Sequence, residues 1–145
     1  MRANHIRSIR QQSVQPSVRY KKRNRTQARK LNLEGRQMSD SKLKKYYKQI
    51  TETARGSVRL RDNHITEEGL IGLLKALNNK KGVEGVDCQQ NWISSKVVPM
   101  LYSIRKKLRH LKRLNLKNNF ITRKHIKKYS REVNYFLNRG LKIII

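Results

Sequence analysis

The residues able to do covalent or metal chemistry are few, and their spacing argues against a reaction. Two acid pairs, Glu67/Glu68 and Glu84/Asp87, with Asp62 not far away, are the raw material of a metal-dependent phosphodiester cleavage site. The register described below turns Glu67 and Glu68 away from the strand surface, so these carboxylates are not expected to converge on one ion. His5, His64, His110 and His125 stand at no metal-ligand spacing, and the lone Cys88 completes no zinc site of the usual kind. No catalytic residue, metal, cofactor or small-molecule substrate is expected.

Cations are the chemistry this chain has in quantity. Lys and Arg number 36 against 9 Asp and Glu, a formal net charge of +27. A field of that size opposes a compact fold and favours a polyanionic partner. The placement is uneven. Residues 1–33 contain no acid, and Arg2, Arg7, Arg10, Arg19, Lys21, Lys22, Arg23, Arg25, Arg29 and Lys30 make that stretch a basic arm. A second acid-free stretch runs from Cys88 to Arg131. Within it Arg105, Lys106, Lys107, Arg109, Lys112 and Arg113 surround Leu108 and Leu111, and Lys124, Lys127 and Lys128 follow. With Leu108 and Leu111 held inward, the first six cations read as a phosphate clamp on one loop, where counterion release would drive binding.

The elements that must position these charges are set by a repeat. Val58 to Thr66, Val86 to Ser94 and Leu114 to Thr122 share the pattern apolar-x-apolar-x-x-Asn-x-Ile-Ser/Thr, with Asn63, Asn91 and Asn119 spaced 28 residues apart. Each reads as a short alternating strand followed by an amide that can hydrogen-bond the backbone of a turn, so the three Asn form a structural ladder. Between them lie helix-period segments in the same register, with Leu70, Val98 and Ile126 in one column and Leu73, Leu101 and Tyr129 in the next. An atypical first unit from Leu31 to Ser39 keeps the apolar positions but has Arg36 in place of the Asn. Its helix carries Leu43, Tyr46, Tyr47 and Ile50, and both tyrosines are expected in the interior. A last helix with Val133, Phe136 and Leu137 precedes a closing strand at Leu141 and Ile143. Glu67 and Glu68 suit the first turn of the second helix, where they compensate its dipole. Pro99 belongs in the first turn of the third and shortens it.

The period and the Asn ladder resemble the leucine-rich repeat family, specifically its ribonuclease-inhibitor-like subclass with a full helix on the convex side. That resemblance implies an α/β solenoid over residues 28–145, with about four strand-turn-helix units, a closing C-terminal strand and a parallel sheet on the concave side. It also implies a scaffold for macromolecular contacts rather than one particular function. Residues 1–27 are expected to form an extended basic tail outside the solenoid. Strand alternation points Asn32 and Glu34, Arg59 and Arg61, Asp87 and Gln89, Asn115 and Lys117 to the concave side, a mixed surface. Arg59, Arg61, Gln89 and Lys117 are its candidate partner contacts, together with Trp92 and Phe120, which follow the ladder Asn in their units as His64 does one unit earlier. These rings either pack on each other or receive an unpaired base.

No segment is apolar for long enough to span a membrane, and Cys88 at a strand position is expected to be a buried small apolar residue. The reading that unites these signals is a non-catalytic structural component of a ribonucleoprotein. A ribosomal protein contacting rRNA through its tail and its basic helices and loops fits best, with neighbouring ribosomal proteins as partners. One of those is expected to cover the apolar C-terminal strand edge, Leu141 to Ile145. The acid-free, Arg-bearing start also matches a mitochondrial targeting segment, so a mitochondrial ribosome and a cytoplasmic ribonucleoprotein both stay open. The alternative is a leucine-rich-repeat adaptor or scaffold in an assembly without RNA.

Overall fold

The computed structural model describes residues 31–78 and 80–145. The expected tail, residues 1–27, and the candidate contacts from Arg2 to Lys30 lie outside them. The strands are β1 (Leu31–Asn32), β2 (Gly56–Arg59), β3 (Val83–Asp87), β4 (Arg113–Asn115) and β5 (Lys142–Ile144). They pair in chain order and in parallel, β1-β2-β3-β4-β5. Parallel neighbours cannot be joined by a tight turn, so each connection climbs back through helix. The helices are α1 (Asp40–Thr53), α2 (Glu67–Leu77), α3 (Val97–Ser103), α4 (Arg123–Lys128) and α5 (Ser130–Asn138), with a 3-10 turn at Arg105–Leu108. The class is α/β.

Register explains which side chains are buried. Leu31, Val58, Val86, Leu114 and Ile143 are paired across the sheet, while Asn32, Arg59, Asp87, Asn115 and Ile144 form the adjacent row on its other face. Val58, Val86 and Leu114 lie in one core with Leu60, Cys88 and Leu116, two residues further along their chains, and with Leu70, Leu73 and Leu101 of the helices. Cys88 is fully buried; burial, reinforced by the charge of Asp87, pushes its thiol up, so it stays protonated and acts as a small apolar side chain. Pro99 is the third residue of α3, which lasts only seven residues. The segment after β4 is divided at Tyr129 into α4 and α5, and Ile126 and Tyr129 are only partly buried there.

The three Asn side chains satisfy backbone groups where the chain leaves the sheet. Asn91 Nδ2 donates to the carbonyls of Leu60 (2.9 Å), Cys88 (3.1 Å) and Gln89 (3.1 Å), and its Oδ1 accepts from Ile65 N–H (3.0 Å). Asn119 repeats this with Cys88, Leu116 and Ile93. Asn63 bonds Leu33 and Leu60 and receives the N–H groups of Arg36 and Met38. Arg36 therefore ends the ladder as a backbone donor, with its side chain outside. The residue before each of these positions, Gly35, Asp62, Gln90 or Asn118, is left-handed with φ between 52° and 66°. That conformation turns the chain, and Gln90 holds it at some steric cost.

A second set of braces joins the helix starts. The Asp40 carboxylate accepts from the backbone N–H of Thr66 (2.9 Å) and from its hydroxyl, and Glu67 accepts from Ser94 N–H (3.0 Å). Glu67 thus does more than compensate a helix dipole. Helix α2 admits Asp40 because Gly69 has no Cβ: one placed there would lie 2.1 Å from Asp40 Oδ1. At Gly72 the same gap takes the Tyr47 ring, whose hydroxyl donates to Gly69 O (3.0 Å). Tyr46 and Tyr47 are consequently half-buried rather than interior, because Tyr47 lies across α2 instead of beneath it.

Two mutations test these joints. Asn91→Ala leaves the Ile65 N–H without a partner and takes one of two donors from the carbonyls of Leu60, Cys88 and Gln89, so urea unfolding should show a loss of about 2 kcal/mol. A loss below about 1 kcal/mol would mean water replaces the amide. Burial raises the Glu67 carboxyl, but hydrogen bonds from Ser94 and the charge of Lys96 outweigh it, and the net shift is downward from 4.5. A depressed carboxyl stabilises the fold above its unfolded value and loses that contribution as pH falls through its folded value. The stability gap between wild type and Glu67→Gln should therefore be widest near neutral pH and close as pH falls below 4.5.

Candidate nucleic-acid interface

The cations of the C-terminal half are set out by the elements that carry them. After α3 the backbone tightens into the 3-10 turn Arg105–Leu108, with Leu108 buried. Leu111 is buried as well, so the intervening cations are turned outward. The six-residue run does not form one clamp, however. Arg113 belongs to β4, in register with Gly85 and Lys142, and so lies on the open face of the sheet. Lys112 pairs with Glu84 at 2.8 Å; Glu84 belongs to the neighbouring strand β3, and both side chains are exposed. That pair neutralises one charge that the sequence leaves unpaired, though exposed pairs contribute about 1 kcal/mol or less. Lys106, Lys107 and Arg109 are exposed at the turn, as are Lys124, Lys127 and Lys128 on α4.

Arg105 has a different environment. It is half-buried, its Nη1 donates to Tyr102 O (2.9 Å), and its guanidinium lies over the Tyr102 ring at 4.4 Å and 5.9 Å from the centre of Tyr135. Tyr102, Tyr135 and Phe136 meet edge to face, with centroids 5.2 to 6.4 Å apart. The Arg139 guanidinium stands over the Tyr135 ring, 5.5 Å from its centre. These groups line a cavity of about 540 Å³ between the α3 turn and α5, floored by Leu108, Leu111 and Leu141. Lys106 and Arg109 complete the lining, and none of the lining residues is an acid. Tyr102, Tyr135, Phe136 and Arg139 are absent from the sequence-derived site. The signal that could have found them is an aromatic in α3 and two in α5, beside the basic turn.

The open face of the sheet is a second, smaller feature. A hollow of about 290 Å³ lies between Arg59 and Arg113, with Gly85 beneath and Ser57, Asp87 and Asn115 around it. Gly85 keeps it open, since a Cβ would come within 3.0 Å of Ser57 Oγ. Asp87 is engaged by Gln89, whose backbone and side-chain nitrogens both donate to it. Arg61 is held by Gln90 Oε1 (2.6 Å) and Glu34 (3.7 Å), while Lys117 is exposed. Trp92 and Phe120 do not share this face. They stand on the turns past the ladder Asn, because the inward amide forces the next side chain outward. Their exposures are 54% and 64%, and Trp92 stacks on His64 at 4.5 Å, not on Phe120.

Among the described residues, no three His, Cys, Asp or Glu side chains gather at metal-binding distance, and no helix is long and apolar enough to cross a membrane. No protein-family model matches the chain, and no curated protein matches it either.

The excess of cations has a consequence for the free protein. Arg123 and Lys124 open α4 with no acid in its first turn, against the helix dipole. Raising NaCl from about 0.05 to about 0.5 M shortens the screening length roughly threefold and should raise Tm. A lower Tm in high salt would mean that pairs such as Lys112–Glu84 outweigh self-repulsion.

Proposed function

We propose that this α/β chain is a short leucine-rich-repeat solenoid acting as a non-catalytic structural component of a ribonucleoprotein, a ribosomal protein of the mitochondrial or the cytoplasmic particle. Several features favour the solenoid reading. Strands pair strictly in chain order, the Asn side chains bond backbone 25 to 31 residues away, and each unit reverses on a left-handed residue. The observation that carries the RNA reading is a cavity walled by aromatic rings and guanidinium groups and lined by no acid, beside the exposed cations of a stretch of sequence, Cys88 to Arg131, that itself holds no acid. Phosphates supply the counter-charge that nine acids in the whole chain cannot.

In this reading Arg105, Lys106, Lys107, Arg109, Lys124, Lys127 and Lys128 face rRNA, and the arm from Arg2 to Lys30 adds further phosphate contacts. The open sheet face, where Arg61–Glu34 and Asp87–Gln89 are already paired, is more mixed and suits a neighbouring protein. The edge strand β5 is a second such place, since Ile143, Ile144 and Ile145 are only partly covered. The same two surfaces would serve an adaptor in an assembly without RNA, which makes no demand on salt.

The test is RNA affinity across a salt series, for the full chain and for a form lacking residues 1–30. With about 5 to 10 phosphates contacted, log K should fall against log salt with a slope near −0.9 per contact on a duplex. Removing the arm should make that slope shallower without abolishing binding. Affinity indifferent to salt would favour the adaptor, and co-sedimentation through a high-salt wash would separate a resident subunit from a transient assembly factor.

A further inference from the structure

We infer that the cavity between the α3 turn and α5 receives a single unpaired nucleotide of the bound RNA, its base stacked on the Arg105 guanidinium and its phosphate held by the cations at the rim. This rests on the RNA-binding reading and adds a ligand class to it, since phosphate binding alone needs no pocket.

The argument begins with Arg105. A guanidinium engaged only with phosphate would extend into solvent, whereas this one sits over the Tyr102 ring, its Cζ 4.4 Å from the ring centre, and is tied to the backbone carbonyl of the same residue. The ring contact and the hydrogen bond hold the half-buried group in place at the cavity wall, a planar cation held ready for stacking. Bases stack on such guanidinium planes as they do on aromatic rings. Tyr135 and Phe136 brace the platform edge to face, so the wall is formed before any ligand arrives. Beneath it, Leu108 and Leu141 are buried and apolar, which suits the body of a base and offers no partner to a carboxylate.

The rim supplies charge. Arg139 is exposed over Tyr135, and Lys106 and Arg109 are exposed residues of the cavity lining. At about 540 Å³ the cavity falls in the range of roughly 300–1,000 Å³ that buries a small ligand. A base inside a duplex cannot enter it, so the occupant is a bulged, looped or single-stranded residue. An acidic peptide would use the rim but not the flat wall and apolar floor.

The experiment uses the full chain and two RNA hairpins that differ only in one bulged purine, with 2-aminopurine at the bulge as reporter. The bulged hairpin should bind about tenfold more tightly than the paired one, and its emission should change in step with binding. Arg105→Lys keeps the charge but loses the plane, and should bring that ratio close to one. Arg139→Gln, at the exposed rim, should reduce the ratio with no risk to the core. Circular dichroism confirms the fold of each variant. Equal affinity for the two hairpins, or a preference that survives Arg105→Lys, would overturn the inference while leaving RNA binding intact. Binding to neither hairpin would remove the RNA reading itself. Shifts of the Tyr102 and Tyr135 ring resonances with a poly-glutamate peptide, and none with RNA, would overturn the inference in favour of a protein ligand.

Discussion

The structure depends on one buried carboxamide repeated three times. A chain that leaves a parallel sheet to enter a helix must turn its backbone inward, and the carbonyls of Leu60, Cys88 and Leu116 then point at the interior with no strand to receive them. Asn63, Asn91 and Asn119 each put two N–H groups and one oxygen where those carbonyls and the next N–H lie. No other side chain of that size offers both a donor pair and an acceptor. Because each amide bonds its own turn and the preceding one, it also sets the spacing between successive strands. The apolar columns follow from that spacing, as does the separation of an inward face from an open one.

Charge is laid over this frame in a gradient. The position that opens each helix illustrates it: Asp40 and Glu67 start α1 and α2 and brace the following segment, Ser95 takes the corresponding place before α3, and Arg123 opens α4. In the first half of the chain the carboxylates of Glu34, Asp40 and Glu67 are engaged in internal bonds. In the second half the corresponding positions are Ser95 and Arg123, neither of them an acid, and Tyr102, Tyr135 and Phe136 pack there beside buried leucines. The shorter helices α3 and α4 both fall in the acid-free stretch from Cys88 to Arg131.

Strand positions, the ladder and the place of Pro99 were all legible in the sequence, since each is a local pattern with a local physical cause. The site was less so. A run such as Arg105 to Arg113 looks continuous on paper, yet the chain enters β4 inside it, so Arg113 crosses to the open face while Arg105 stays with Tyr102. The pairing of Tyr102 with Tyr135 joins residues 33 positions apart, from helices of unequal length on either side of a strand, and no periodicity announces it. Gly69 and Gly72 were similarly silent. Their role is visible only once Asp40 and Tyr47 are seen to fill the space a methyl would take.

The ladder is not equally shielded along its length. Asn63 and Asn91 are buried to 2% and 4% exposure, whereas Asn119 is partly open to solvent. Water can therefore compete for the last amide and not for the first two, so local opening is easiest around β4, α4 and the turn that Asn119 closes. The ladder is most closely shielded between Glu34 and Asp87, where most of the acids lie, and least around Asn119 in the acid-free stretch. A polyanion held by the basic end would be gripping the part of the protein with the most freedom to adjust, and would close from outside the joint that the chain leaves loosest.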